Sequence, residues 1–183
     1  MAERPLYGGA MTVAHVPEDY MDTEAIMDMA KRPVPDNQEM FTAPGLGDAA
    51  RANAPTTVFV DLLEVSDDAR DLHEDPARHV AFHAAEILSN GSDVVVDLSA
   101  SSASATRLDV PGAVDRRDGA TTPAVAAYCS YLDVADLDVA VVRLPTVGTD
   151  VVLSMSGQRE GGAAPSLSAI ARSLVVHDWG LFG

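Results

Sequence analysis

The sequence predicts an α+β protein: one mostly antiparallel sheet with helices packed on it, forming a single domain over residues 1–183. Three observations carry that class. Apolar, β-favouring runs lie beside one another in the chain, which argues against the regular strand–helix alternation of a parallel doubly wound sheet. Only two substantial helical patterns occur, far apart, at 76–89 and after Pro165. A chain of 183 residues, 47% of them hydrophobic, is long enough for one sizeable core and short for two.

The elements follow in order. Residues 6–16 read as a kinked β segment, broken at Gly8-Gly9 and ended by Pro17. Asp22 is placed to cap a short helix through Met29. Residues 31–37, Lys-Arg-Pro-Val-Pro-Asp-Asn, form a rigid surface loop because each proline restricts the residue before it. Residues 38–42 return to a strand, and 43–55 is a Gly/Pro/Ala-rich connection with little reason to be ordered. Residues 56–65 are almost continuously apolar, as expected of a central strand covered on both faces.

Asp75-Pro76 supplies an N-cap and a proline at the first helical position, and Asn90-Gly91 a stop, so a helix is expected over 76–89. Val80, Ala84, Ile87 and Leu88 form its expected buried stripe. A further β run covers 93–98, and the polar stretch 99–122 reads as a hairpin or loose excursion rather than packed structure. Strands at 123–132, 138–144 and 150–156 form a meander, the last two joined by a turn-rich link short enough for antiparallel neighbours. Pro165 opens a last helix with Leu167, Ile170, Ala171 and Leu174 on one face, ahead of the tail Trp179-Gly180-Leu181-Phe182.

Charge narrows the partners. With 28 acidic against 12 basic residues the formal charge is −16, which disfavours nucleic acid and anionic membranes and points to a basic partner. Cys129 is the only cysteine, so no internal disulfide is expected and a reducing compartment fits. Residues 1–11 hold Glu3, Arg4, Pro5 and two glycines where a signal peptide needs an apolar core. The expected setting is nucleus and cytoplasm, and a monomer is expected.

Catalytic patterns are largely missing. No Gly-x-x-x-x-Gly-Lys-Ser/Thr occurs, Lys31 being the only lysine, and there is no Gly-x-Ser-x-Gly. Cys129 lies in an expected strand with no sign of activation and reads as a small core residue. Asp67 with Asp68, or Glu74 with Asp75, invites a two-carboxylate hydrolase reading, but Asp67, Asp68 and Asp71 flank a helix beginning, where unsatisfied amides stabilise negative charge. His79, His83 and Glu86 share one side of helix 76–89 and have metal-ligand spacing. That side lies roughly 100° from the Val80/Ala84 stripe, so a solvated polar flank is the stronger reading and no metal or cofactor is expected.

Five segments taken together resemble the Mog-type Ran guanine-nucleotide release factors. They are Pro5-Leu6-Tyr7-Gly8-Gly9-Ala10; Arg32-Pro33-Val34-Pro35-Asp36-Asn37-Gln38-Glu39; Val60-Asp61-Leu62-Leu63-Glu64; Arg143-Leu144-Pro145 through Thr149-Asp150-Val151-Val152; and His177-Asp178 ending in Leu181-Phe182. They stand in the family's order from residue 5 to residue 182, and the Pro-Asp-Asn-Gln-Glu block is the most specific. The resemblance implies a central, mostly antiparallel sheet with helices on both faces, a PsbP-like α/β/α sandwich. It also implies a protein without enzymatic activity that binds Ran and promotes release of its guanine nucleotide, in support of nucleocytoplasmic transport.

Carried onto this chain, the Ran-binding positions implied are Asp61 and Glu64 on the strand, with Arg32, Asp36 and Glu39 on the loop. Each also has a plainer role. Asp36 can bond its own turn, Arg32 can pair with a neighbouring acid, and Glu39 falls on an expected edge strand. Asp61 stands within an apolar run, so it should lie at an exposed strand end or have a partner. Asp61 and Glu64 differ by three, which sends them to opposite faces of a regular strand unless a bulge intervenes or the strand ends near Leu62. A different class stands beside this one: a PsbP-like scaffold or interaction module for another basic partner.

Overall fold

The computed structural model describes residues 3–30, 34–43, 56–66, 75–89, 102–108, 127–134, 137–145, 147–156 and 166–182. In chain order the elements are β1 (Arg4–Leu6), a 3₁₀ turn (Tyr7–Gly9), β2 (Met11–Val13), α1 (Thr23–Ala30), β3 (Gln38–Thr42), β4 (Thr57–Glu64) and α2 (Pro76–Ser89). They continue as β5 (Ser102–Leu108), β6 (Ala127–Val134), β7 (Leu137–Leu144), β8 (Thr149–Ser156), α3 (Leu167–Arg172), β9 (Val175–Val176) and a final 3₁₀ turn (Trp179–Phe182).

The start of the chain is a hairpin instead of one kinked strand. Arg4 pairs with Val13 and Leu6 with Met11. Tyr7, Gly8 and Gly9 have φ of 51°, 65° and 91°, and successive left-handed residues reverse a chain where a single one only bends it. Glycine enters that region freely, so the pair makes the reversal feasible. β9 joins β2 through Met11↔Val176, completing a small antiparallel sheet in the order β1-β2-β9.

The large sheet has the order β3-β4-β8-β7-β6-β5 and every pairing in it is antiparallel. The meander β6-β7-β8 is as expected. β5 is a correction: residues 102–108, expected as part of a hairpin or loose excursion, form a strand paired with β6 from Ser102↔Asp133 to Leu108↔Ala127. β4 lies between β3 and β8, but it is not sealed on both faces. Val58 and Val60 are buried, whereas Thr57, Phe59 and Asp61 on the other face are half-buried. The expected runs at 93–98 and in most of 43–55, and the signals at Asn90-Gly91 and Pro165, lie outside the described residues.

Helix starts follow local chemistry. Asp22 Oδ1 accepts from Ala25 N at 3.1 Å and Asp75 Oδ1 from Arg78 N at 3.1 Å, each satisfying an amide that the first turn leaves open. α3 starts from Ser166, whose hydroxyl accepts from Ala169 N.

The period of two along the strands sorts side chains into two cores. On one face Val58, Val60, Ala140, Val142, Val151 and Leu153 pack with Leu167, Ile170 and Ala171 of α3 and with Leu6, Met11 and Val13 of the small sheet. On the other, Val139, Val141 and Val152 meet Val80 and Ala84 of α2. The large sheet therefore carries a helix on each face. The expected stripe on α2 is only half right: Val80 and Ala84 are fully buried, but Ile87 and Leu88 are 38% and 41% exposed, and His79 and His83 face inward instead. No helix among the described residues is long and apolar enough to cross a membrane.

Candidate functional site

At the end of the large sheet where β4, β7 and β8 meet, a cleft of about 950 Å³ opens between the Asp36-Asn37 turn, the end of β4 and the Pro145–Gly148 turn. Local hydrogen bonds build its walls. Gln38 N donates to Pro35 O at 2.9 Å, closing a turn that puts Asp36 and Asn37 at its corner. Asn37 then clamps that turn to β4: Leu62 N donates to Asn37 O at 2.8 Å and Asn37 Nδ2 to Leu62 O at 3.2 Å. Opposite, Gly148, at φ 61°, turns the chain from β7 into β8 and accepts from Val65 N at 2.9 Å. Leu62, Val147, Leu181 and Phe182 line the cleft with apolar surface.

Two of the five expected positions reach this cleft. Asp36 and Glu64 line it, both exposed, and neither carboxylate makes a hydrogen bond or ion pair among the described residues. The Pro-Asp-Asn turn is therefore held by its backbone and by Asn37, and Asp36 is left facing solvent. Glu39 is engaged elsewhere. It accepts from Tyr7 N at 2.9 Å and from the Thr23 hydroxyl, tying the first hairpin and the start of α1 to β3. Arg32 lies outside the described residues.

Asp61 and Glu64 do not share a face. β4 pairs with β8 without a break from Thr57↔Ser156 to Glu64↔Thr149, so neither a bulge nor an early strand end intervenes. Asp61 points to the α2 side, where it lines a smaller cleft of about 450 Å³ with Phe59, Glu86 and Ile87. It is half-buried with a partner, Gln38 Nε2, which donates at 2.7 Å. Burial raises its pKa, and the Gln38 bond offsets only part of that.

Tyr7 braces the turn from the other side of β4. Its hydroxyl donates to Val60 O at 2.7 Å and Asn37 O at 3.1 Å. Burial and then the neighbouring Asp61 and Glu39 charges push its pKa well up, so it stays a donor. The Leu-Tyr-Gly-Gly segment is thus a support for the proline-rich loop.

Behind the cleft is a cluster that sequence reasoning found only in part: it singled out His79 and His83 but not their meeting with Arg143 and Asp150. Arg143, which lines the cleft, forks onto Asp150 with Nε to Oδ1 and Nη2 to Oδ2, both at 2.7 Å. From α2, Nε2 of His79 and of His83 donate to Asp150 Oδ2 at 2.9 and 3.0 Å. All four residues are buried. Burial alone would raise the Asp150 pKa, but the Arg143 fork and the two imidazoles outweigh it and hold the carboxyl well below the usual range. An ionised carboxylate only accepts, so both imidazoles carry a proton on Nε2. Burial lowers the His79 pKa against the pull of Asp150, which favours the neutral ring.

The expected solvated flank on α2 is therefore wrong for His79 and His83 and right only for the exposed Glu86. A signal was present: Arg143 and Asp150 are charges inside apolar strands, seven apart across a tight turn, and buried charges require partners.

Fold and site together define an α+β protein whose open feature is an acidic-rimmed, apolar-floored cleft braced by a buried ion cluster. Residues 4–157 match the family described as Ran-interacting Mog1 protein, and the chain belongs to that family. It is similar in structure to the Saccharomyces cerevisiae Ran-binding protein Mog1p, with a TM-score of 0.56 and 22% identity over 100% of this chain and 98% of that one. A glutamate-to-alanine variant of protein Mog1 is similar at a TM-score of 0.56 and 21% identity, with the same coverage. No curated protein sequence matches the chain.

Proposed function

We propose that this protein binds the GTPase Ran at the acidic cleft and promotes release of its guanine nucleotide. Beyond family membership, the observation that carries the reading is the pair Asp36 and Glu64: two exposed carboxylates without partners among the described residues, on the rim of an apolar cleft. An apolar floor with an acidic rim fits a basic side chain whose aliphatic stem is buried and whose charge meets the carboxylates. The net charge of −16 adds long-range attraction that speeds encounter and weakens with salt.

Release requires no bond to be made or broken. The protein binds the nucleotide-poor state of Ran more tightly than the loaded one, and reciprocity demands that nucleotide weaken the complex by the same factor. Nucleocytoplasmic transport and residence in nucleus and cytoplasm follow as the setting of such an activity. The test is release of a fluorescent nucleotide from Ran, with capture of Ran loaded with GDP, GTP or nothing. Faster release and strongest capture of empty Ran are expected; an unchanged rate with no complex overturns the reading.

A further inference from the structure

The buried cluster behind the cleft has a chemistry that partner binding leaves unused. His79, His83 and Asp150, all buried, each offer one ligand atom within 4.8 Å of the others, and the Nε2 atoms of the two imidazoles lie 2.9 and 3.0 Å from Asp150 Oδ2. We propose that these atoms form a binding site for one divalent zinc-class ion, with a solvent molecule as fourth ligand.

Donor chemistry selects the class. Two imidazoles with one carboxylate suit zinc and its first-row neighbours, whereas calcium and magnesium take oxygen shells. Geometry then requires little movement. Ligand bonds of about 2.0–2.1 Å in a tetrahedron set neighbouring donors about 3.3 Å apart. The two nitrogen-to-oxygen separations are already 2.9 and 3.0 Å and need open by only a few tenths of an ångström, while the two imidazole nitrogens, no more than 4.8 Å apart, settle to the same spacing by ring rotation.

The ligands are also fixed in advance. His79 and His83 stand one turn apart on α2, a 14-residue helix packed on the sheet through Val80 and Ala84. Asp150 is anchored from behind by the Arg143 fork, as carboxylate ligands are oriented by partners of their own. Without an ion, one oxygen, Asp150 Oδ2, takes hydrogen bonds from both imidazoles and from Arg143. With an ion, the imidazole protons move to Nδ1, the Nε2 lone pairs bind the metal, and Arg143 keeps Oδ1. Charge acts both ways. Arg143 repels the cation locally and weakens the site relative to one without an arginine, while the −16 of the whole chain draws cations in. Glu86, at metal-ligand spacing in the sequence, is exposed on the smaller cleft and takes no part.

The experiment is a zinc titration of the metal-stripped full chain by calorimetry and indicator competition, with cobalt as a spectroscopic probe of coordination. One ion per chain, cobalt d–d bands of four- or five-coordinate strength, and a zinc-dependent rise in melting temperature are expected. His79→Asn with His83→Asn should abolish the stoichiometric binding and the thermal shift. If that variant does not fold, Asp150→Asn, which retains both imidazoles, should weaken zinc at least tenfold. A folded wild-type chain that takes up no stoichiometric ion overturns the proposal. So does binding of unchanged strength in either folded variant, which places the ion on other carboxylates. Both readouts are independent of Ran.

Discussion

Asp150 and Glu64 stand one register step apart in the pairing of β4 with β8, where Leu63 faces Asp150 and Glu64 faces Thr149, yet they live in opposite physical worlds. Asp150 is sealed beneath α2 with three cationic or donating partners, and its charge is integral to the packing. Glu64 is exposed on a cleft, and its carboxylate is bonded to nothing among the described residues. A buried charge is retained only when fully paired, whereas a surface carboxylate without a partner adds little to folding and is free to meet another molecule. Position on the pleat separates a structural acid from a recognition acid more sharply than sequence proximity does.

The largest effect should come from breaking the sealed side. Asp150→Ala removes the carboxylate on which the Arg143 fork and two buried imidazoles converge, and the loss expected is about 3–5 kcal/mol, read from the urea midpoint. A change below about 1 kcal/mol shows that water reaches the cluster and that the contrast is overdrawn. On the open side, Asp36→Lys with Glu64→Lys should weaken capture of Ran at least tenfold, about 1.4 kcal/mol. Stability should stay within about 0.5 kcal/mol, as for surface substitutions generally. Unfolding of that variant would place the two carboxylates in the structural class.

Acid should act on the sealed side in two windows. The folded His79 pKa lies below its unfolded value, so the unfolded chain takes up the proton first and stability declines as pH falls below about 6.5. Asp150, also lowered, contributes stability that is fully present above its unfolded value of about 3.9 and lost further into acid. Denaturant midpoints between pH 8 and pH 3 test this, and a flat profile refutes it. The smallest effect belongs to Asp61, the intermediate case. Burial disfavours its charge, so Asp61→Asn should raise the melting temperature slightly at neutral pH while still accepting from Gln38. A fall in melting temperature would mean that the ionised form is needed for folding.

Much of the architecture was readable from local chemistry. Helix 76–89 announced itself through Asp75-Pro76, and the meander β6-β7-β8 through apolar runs parted by short links, because caps and periodicity act within a few residues. Residues 102–108 were not readable as a paired strand: the run Ser-Ala-Ser-Ala-Thr-Arg-Leu has little apolar signal, and its pairing with β6 belongs to the partner as much as to the segment. Of the candidate surface, the turn at Asp36 was marked by its flanking proline and asparagine. The joining of Asp36 to Glu64 in one cleft, and the dispersal of Glu39 and Asp61, were not.

By itself, then, the sequence determined the class of fold, the caps, the face of α3 and the acidic balance, all of which depend on residue type and short-range spacing. Only the tertiary structure decided which way α2 turns, which carboxylates remain free, and that Arg143 and Asp150 meet His79 and His83. Helical period names a stripe but not its angle to a distant sheet. On α2 the bonds to Asp150 turn His79 and His83 inward and leave Ile87 and Leu88 facing water.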